Sequence, residues 1–125
     1  MREVDVCAVH ELPPGERRLI TIPGVGSVGV FNVDGRLYAI KNVCPHQGAP
    51  LGAGLVTGTS EPSFVPGRMP RAVWSREGEI IRCPWHGWEF ELATGKALCG
   101  DQWRVASYDV EVRSDATTYE VVDAA

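Results

Sequence analysis

Residues 44–51 read CPHQGAPL, and residues 83–90 read CPWHGWEF. Each stretch offers one cysteine and one histidine within a few residues of each other. Thiolate and imidazole are the side-chain ligands that proteins use for zinc and for certain iron–sulfur clusters. The sequence therefore predicts a metal centre built from two mixed cysteine/histidine loops, and its candidate ligands are Cys44, His46, Cys83 and His86.

Short strand-like segments surround both loops, and no segment has the period of an amphipathic helix. Asp34-Gly35 predicts a two-residue hairpin, and Glu77-Gly78 predicts a second one. With 14 glycines and 9 prolines between short strands, we expect one all-β domain over residues 1–125, an antiparallel β sandwich. The alternation of apolar and polar residues predicts strands at 3–9, 18–22, 28–33, 36–40, 72–75, 79–82, 88–92, 104–113 and 118–122.

Composition and charge exclude several classes of function. The net charge is −4 and there is no basic stripe, so a nucleic-acid partner is not expected. No apolar run approaches the roughly 20 residues that cross a bilayer, and residues 1–6 lack the apolar core of a secretory signal. We therefore expect a cytoplasmic protein with no membrane partner. In a reducing compartment its four cysteines favour metal binding or catalysis over disulfides.

Three kinds of chemistry fit two cysteines and two histidines. Tetrahedral zinc accepts such a set, but zinc fingers usually place both cysteines in one loop and both histidines in the other. A nucleophilic Cys/His pair needs an orienting third residue, and neither loop supplies an obvious one. A cluster of two irons combines soft thiolates with borderline imidazoles. We favour the iron–sulfur cluster, and zinc and the nucleophilic pair stay open as alternatives.

Both loops resemble the cluster loops of the Rieske family, especially those of Rieske-type ferredoxins and of the Rieske domain of ring-hydroxylating oxygenases. The resemblance implies a Rieske-type 2Fe-2S cluster in an all-β Rieske fold, with a cluster-binding part at about residues 42–92. It also implies a division of the ligands. The buried iron would take Cys44 and Cys83, and the outer iron would take His46 and His86.

Three residues depart from the pattern of Rieske proteins in respiratory cytochrome complexes. Ala49 and Trp85 stand where those proteins have the cysteines of a bracing disulfide. Trp88 stands where they have a serine that donates a hydrogen bond to a bridging sulfide. With fewer donors, the resemblance implies a potential near the low end of the roughly −150 to +300 mV Rieske range. We expect Trp85 and Trp88 to shield the cluster from water.

The distance between the loops is unusual. His46 and Cys83 are separated by 36 residues, which is long for a ferredoxin of this family. The excess predicts a surface loop at about residues 54–71, a stretch rich in glycine, proline and serine. Two interpretations stay open: an insertion without a role, because long surface loops cost little, or a rim that helps to select the redox partner.

The resemblance implies an electron carrier between a flavin-dependent reductase and a terminal oxygenase, a component of an oxygenase system more than an enzyme in its own right. The alternative is an accessory Rieske subunit or redox-sensing module of a larger oxidoreductase. A self-contained oxygenase would need a further iron site with two histidines and a carboxylate. The chain has three histidines, so only His10 would be left for such a site.

Other patterns in the sequence are weaker evidence of function. Residues 24–29 fit the dinucleotide-binding fingerprint as a string, but a β-hairpin pattern follows them where that motif needs a helix. Cys7 and Cys99 are single cysteines among strand-like residues, so we expect both to be small apolar side chains in the core and not metal ligands. Trp74 and Trp103 are also predicted to lie in the core.

Overall fold

Nine β-strands in two antiparallel sheets form the fold of the computed structural model, which describes residues 3–100 and 102–122. The strands are β1 Glu3–Ala8, β2 Arg17–Ile22, β3 Gly26–Val33, β4 Arg36–Lys41, β5 Leu55–Ser63, β6 Arg71–Arg82, β7 Glu89–Glu91, β8 Ser107–Val112 and β9 Thr118–Val122. The predicted all-β class is confirmed. Of the N-terminal segment assessed for a secretory signal, Met1 and Arg2 lie outside the described residues.

Short 3-10 helices lie between β1 and β2, at Val9–Glu11, and between β4 and β5, at Leu51–Ala53. Within residues 3–100 and 102–122, no helix has the length and apolar character needed to span a membrane. The glycine-rich string at residues 24–29 runs into β3, which begins at Gly26. The β-hairpin predicted to follow this string is therefore confirmed.

The larger sheet has six strands in the order β1-β9-β8-β4-β3-β2, and the smaller sheet has the order β5-β6-β7. Strand β8 pairs with β4 near its start and with β9 along the rest of its length. The predicted hairpin between β3 and β4 is confirmed. Asp34 and Gly35 both have positive φ, at 52° and 90°, as a two-residue type I′ turn requires.

The predicted hairpin at Glu77-Gly78 is wrong. Residues 71–82 form one continuous strand, β6. Arg76 and Gly78 do adopt positive φ, at 58° and 83°, but they form a bulge where the register with β5 shifts. Turn-forming residues suit a bulge as well as a hairpin, and only the strand that pairs with both halves of β6 decides between them.

The predicted surface loop at about residues 54–71 is wrong over its first half. Residues 55–63 are β5, which pairs with β6 from Leu55 opposite Arg82 to Ser63 opposite Arg71. Proline within this stretch suggested a loop, but β5 is an edge strand, where a missing N–H is tolerated. We call residues 59–75, the hairpin that projects beyond the bulge, the β5–β6 arm.

Two clusters of buried apolar side chains stabilise the fold. One lies within the larger sheet and includes Ile22, Val28 and Val121. The other joins the two sheets, with Phe31 and Ile40 from the larger sheet and Ile81 and Phe90 from the smaller one. Burial of each such side chain contributes roughly 1.5–3 kcal/mol. Both loop cysteines belong to the second cluster, so the predicted metal centre lies against the core that connects the sheets.

The predictions for single tryptophans and cysteines have mixed outcomes. Trp103 is partly buried against the cluster that joins the sheets, and Cys7 is partly buried against the other cluster. Trp74 is 53% exposed, so its assignment to the core is wrong. It lies on the β5–β6 arm, beyond the part of β6 that packs into the core. The assignment of Cys99 to the core is also wrong, because this cysteine is exposed.

Gly54 lies where the chain after the first loop passes close to the chain before the second. A Cβ at Gly54 would lie 2.1 Å from the carbonyl oxygen of Arg82. We expect Gly54→Ala to lower the free energy of unfolding by about 1–3 kcal/mol, measured by urea denaturation, because the two backbones must separate. Gly100→Ala is the control, since the atoms nearest to its Cβ would be those of the flexible Gln102 side chain. Equal losses in both variants would contradict the steric explanation.

Candidate metal centre

The two cysteine/histidine loops share one pattern of backbone hydrogen bonds. In each loop the cysteine N–H donates to the carbonyl five residues later, and the N–H of the glycine four residues later donates to the cysteine carbonyl. The glycines, Gly48 and Gly87, have φ of 78° and 74°, a conformation that other residues rarely adopt. These bonds hold both loops in the same shape: Cys44 to Ala49 (2.8 Å), Gly48 to Cys44 (2.8 Å), Cys83 to Trp88 (2.7 Å) and Gly87 to Cys83 (3.0 Å).

The thiols of Cys44 and Cys83 meet beneath the loops. Their residues are only 1% and 3% exposed, and neither forms a disulfide. Burial raises the pKa of the Cys44 thiol, and the adjacent Cys83 raises it further, while the backbone N–H groups of His46 and Gln47 act in the opposite direction. Two adjacent thiolates in an apolar core need a compensating cation, and a bound metal supplies one.

The imidazoles of His46 and His86 lie closer to the surface. Their ring centroids are 5.0 Å apart, with an angle of 72° between the planes. His86 is exposed and His46 is half-buried. The Nδ1 atom of His46 is buried and has no hydrogen-bond partner among the described residues. A buried polar atom normally has a partner, because its desolvation is otherwise uncompensated. A metal at this atom would satisfy it, so the residues fit a metal cofactor.

The candidate ligands form two pairs at different depths, since the cysteines are buried and the histidines lie closer to the surface. No three or more His, Cys, Asp or Glu side chains in the described part of the chain are placed to hold a single ion. Tetrahedral zinc would need all four candidate ligands at one point. In a Rieske cluster each iron takes only two protein ligands, cysteines on one and histidines on the other. A buried pair of thiols and an outer pair of imidazoles match that division.

The two tryptophans expected to shield the centre differ in position. The ring of Trp88 stacks on that of His46, with 4.1 Å between centroids and 9° between planes. The edge of Trp103 contacts Trp88, with 5.2 Å between centroids at 84°. Trp85 is 56% exposed. Trp88 thus packs against a candidate ligand while Trp85 is largely exposed, and the shielding of a cluster by either residue stays a prediction.

Several residues that anchor the loops were not found from the sequence. Arg17 on β2 donates to the carbonyl of Gly52 at 2.9 Å, and the Asn42 side chain accepts from the N–H of Gly52 at 2.6 Å. These bonds tie the chain after the first loop to the larger sheet. An ion pair of 2.9 Å between Arg82 and Glu89 closes the base of the second loop. Only this pair had a sequence signal, since opposite charges directly bracket the loop.

Comparison with known proteins identifies the family. The family model of the Rieske [2Fe-2S] domain matches residues 2–109. This chain belongs to the Rieske [2Fe-2S] domain family. Its cofactor is a Rieske-type [2Fe–2S] cluster, and its function is electron transfer. The mapping of the four ligands onto individual residues stays a prediction.

The relatives include ferredoxin components of dioxygenase systems. The chain is 27% identical over 110 residues to the ferredoxin component of the naphthalene 1,2-dioxygenase system of Pseudomonas aeruginosa, covering 87% of this chain and 86% of the relative. It is 30% identical over 99 residues to the 3-phenylpropionate/cinnamic acid dioxygenase ferredoxin subunit of Escherichia coli K12, covering 79% and 74%. Among solved structures, the ferredoxin of carbazole 1,9a-dioxygenase from Nocardioides aromaticivorans IC177 superposes with a TM-score of 0.71, 26% identity and 97% coverage of each chain.

The four cysteines allow a matched test of the ligand assignment. We expect Cys44→Ala and Cys83→Ala to lose the cluster, because each removes a thiolate that no neighbouring group replaces. Cys7→Ala and Cys99→Ala serve as controls and should keep about two irons and two acid-labile sulfides per chain. Iron and sulfide assays with visible absorption measure the outcome. A full cluster content in Cys44→Ala would refute the assignment.

Proposed function

We propose that this chain is a Rieske-type ferredoxin that carries one electron at a time from a flavin-dependent reductase to a terminal oxygenase. Residues 1–125 would act as a single domain. Cys44 and Cys83 would hold the inner iron, and His46 and His86 the outer one. When bound, the cluster takes up and releases a single electron. The proposal rests above all on the buried Nδ1 of His46, which has no hydrogen-bond partner within residues 3–100 and 102–122, together with the two buried cysteines.

The side chains around the centre would give electron transfer a direction. On the inner side, the thiols lie in the apolar cluster that joins the sheets, which excludes water and partner proteins. On the outer side, His86 is exposed, so an electron would enter and leave there. The hydrogen bonds that fix both loops limit their movement when the charge at the centre changes. A rigid site with one exposed edge suits a carrier that serves successive partners.

The relatives support the nature of the acceptor. Two of them are ferredoxin components of dioxygenase systems, which favours an oxygenase. The reductase as donor rests on the resemblance of the loops to those of Rieske-type ferredoxins. We also propose a cytoplasmic location, supported by four cysteines of which none forms a disulfide.

The full chain purified without oxygen tests the proposal. We expect a reddish-brown protein with iron and acid-labile sulfide and a rhombic electron paramagnetic resonance signal after reduction by dithionite. With NADH and a flavoprotein reductase from an aromatic-ring dioxygenase system, we expect rapid, salt-sensitive reduction, because a mobile carrier docks partly through charge. Absence of acid-labile sulfide would refute the cluster. A loaded protein that every free reductase fails to reduce would favour a fixed subunit.

We further propose that the β5–β6 arm helps to dock a redox partner. Exposed apolar side chains concentrate on it: Phe64 is 73% exposed, Val65 46%, Met69 86% and Trp74 53%. Aromatic residues, methionine and arginine are the residues enriched at protein interfaces. The arm contains two arginines, Arg68 and Arg71, and one acidic residue, Glu61, at its base, so it is slightly basic although the chain has a net charge of −4. An acidic surface on the partner would complement this arm.

The base of the arm lies next to the second loop. The Thr59 hydroxyl at its base donates to Glu89 at 2.8 Å, which ties it to β7 directly after the second loop. A groove of about 680 Å³ lies between the arm and this loop, with Ser60 on one side and Gly87 and Trp88 on the other. A partner seated over the groove would contact the arm and the centre at once.

Serine substitutions at Phe64 and Met69 test the role of the arm. We expect the double variant to exchange electrons about tenfold more slowly with a reductase or oxygenase that accepts the unmodified protein, since about 1.4 kcal/mol of docking energy is lost. Val112→Ser is the control, because Val112 is 50% exposed but lies on β8. Cluster content and dithionite reduction should not change in either. Equal partner-dependent rates for both would show that the arm is an insertion without this role.

A further inference from the structure

Trp88 connects the two cluster loops. Its carbonyl accepts the N–H of Cys83 at 2.7 Å, so its backbone is part of the second loop. Its indole reaches across to the first loop, where it stacks on His46 with 4.1 Å between centroids and 9° between planes. A single residue thus holds a candidate thiolate ligand through its backbone and a candidate imidazole ligand through its side chain.

The indole of Trp88 is itself held in place. Trp103 presents its ring edge to Trp88, with 5.2 Å between centroids at 84°, the arrangement that aromatic quadrupoles favour. The carbonyl of Trp103 accepts the N–H of Ala97 at 3.0 Å, and Ala97 is buried in the cluster that joins the sheets. Three rings, those of His46, Trp88 and Trp103, therefore run from the centre to the core. The core fixes the indole, and the indole fixes the imidazole.

We propose that Trp88 is a positioning residue that sets the plane of the His46 ring and excludes water from that side of the centre. The inference rests on the proposed function, because it requires His46 to be a ligand. The stack restricts rotation of the imidazole, so the buried Nδ1 keeps one direction. Reduction adds a negative charge to the site, and nearby water would stabilise that charge. By excluding water, the indole keeps the reduction potential low.

Substitutions that keep or remove the ring test this role. Trp88→Phe keeps an aromatic face for His46, and Trp88→Leu keeps an apolar side chain without a ring. We expect Trp88→Leu to raise the midpoint potential, to broaden the resonance signal of the reduced protein and to shorten the half-life of the cluster several-fold. Trp88→Phe should stay close to the unmodified protein in all three. Tyr108→Leu is the control, since it also removes an aromatic ring, but one that is partly buried against the other apolar cluster, and it should alter none of them.

The outcomes separate this inference from the proposed function. Absence of acid-labile sulfide in the unmodified protein would refute the function itself. A loaded Trp88→Leu protein with unchanged potential and unchanged signal would overturn only the role of Trp88, even if its unfolding midpoint fell. Should Trp88→Leu retain no cluster, Trp103→Leu applies the same test, because it leaves the stack but removes its brace. Unmodified values in that variant would then overturn the inference.

Discussion

The facing pair of buried cysteines is the constraint on which the rest of this structure depends. Cys44 and Cys83 come from loops 39 positions apart in the sequence, yet both pack into the apolar cluster that joins the two sheets. The packing of the two sheets against each other therefore also brings the two thiols together. Changes that alter how β6 and β7 pack on the larger sheet will also alter the centre, even when they lie far from the ligands.

The centre has a buried side with the cysteines and an outer side with the histidines, although the backbones of its two loops are alike. Both loops have the same hydrogen-bond pattern, with histidine two residues after cysteine in the first loop and three residues after it in the second. The thiols lie inside and the imidazoles outside, where His86 is exposed and His46 is half-buried. In the proposed function, one edge of the centre would be open to partners, while apolar side chains surround the other. That polarity suits a carrier, since electron exchange would be confined to a small surface.

In the proposed function, the β5–β6 arm would add a second element to that surface. It arises from the continuation of β5 and β6 past a bulge at Arg76 and Gly78, so it is a paired extension of the sheet and keeps a fixed position beside the second loop. Its exposed apolar side chains and its two arginines, set against the single acidic residue Glu61, contrast with the net acidity of the chain. Trp88 lines the groove that the arm borders, and it also stacks on His46. A partner bound in the groove would therefore contact the residue that packs against His46.

The sequence by itself determined the all-β class, the Asp34-Gly35 hairpin and the four candidate ligands, because local alternation, turn chemistry and ligand spacing are all short-range properties. It did not determine that Glu77-Gly78 makes a bulge, since that depends on a partner strand distant in the chain. Nor did it reveal the exposure of Trp74 or the stacking of Trp88 on His46. Burial and ring contacts are properties of the assembled sheets, and the same residues satisfy the local pattern whether they face the core, the solvent or the centre.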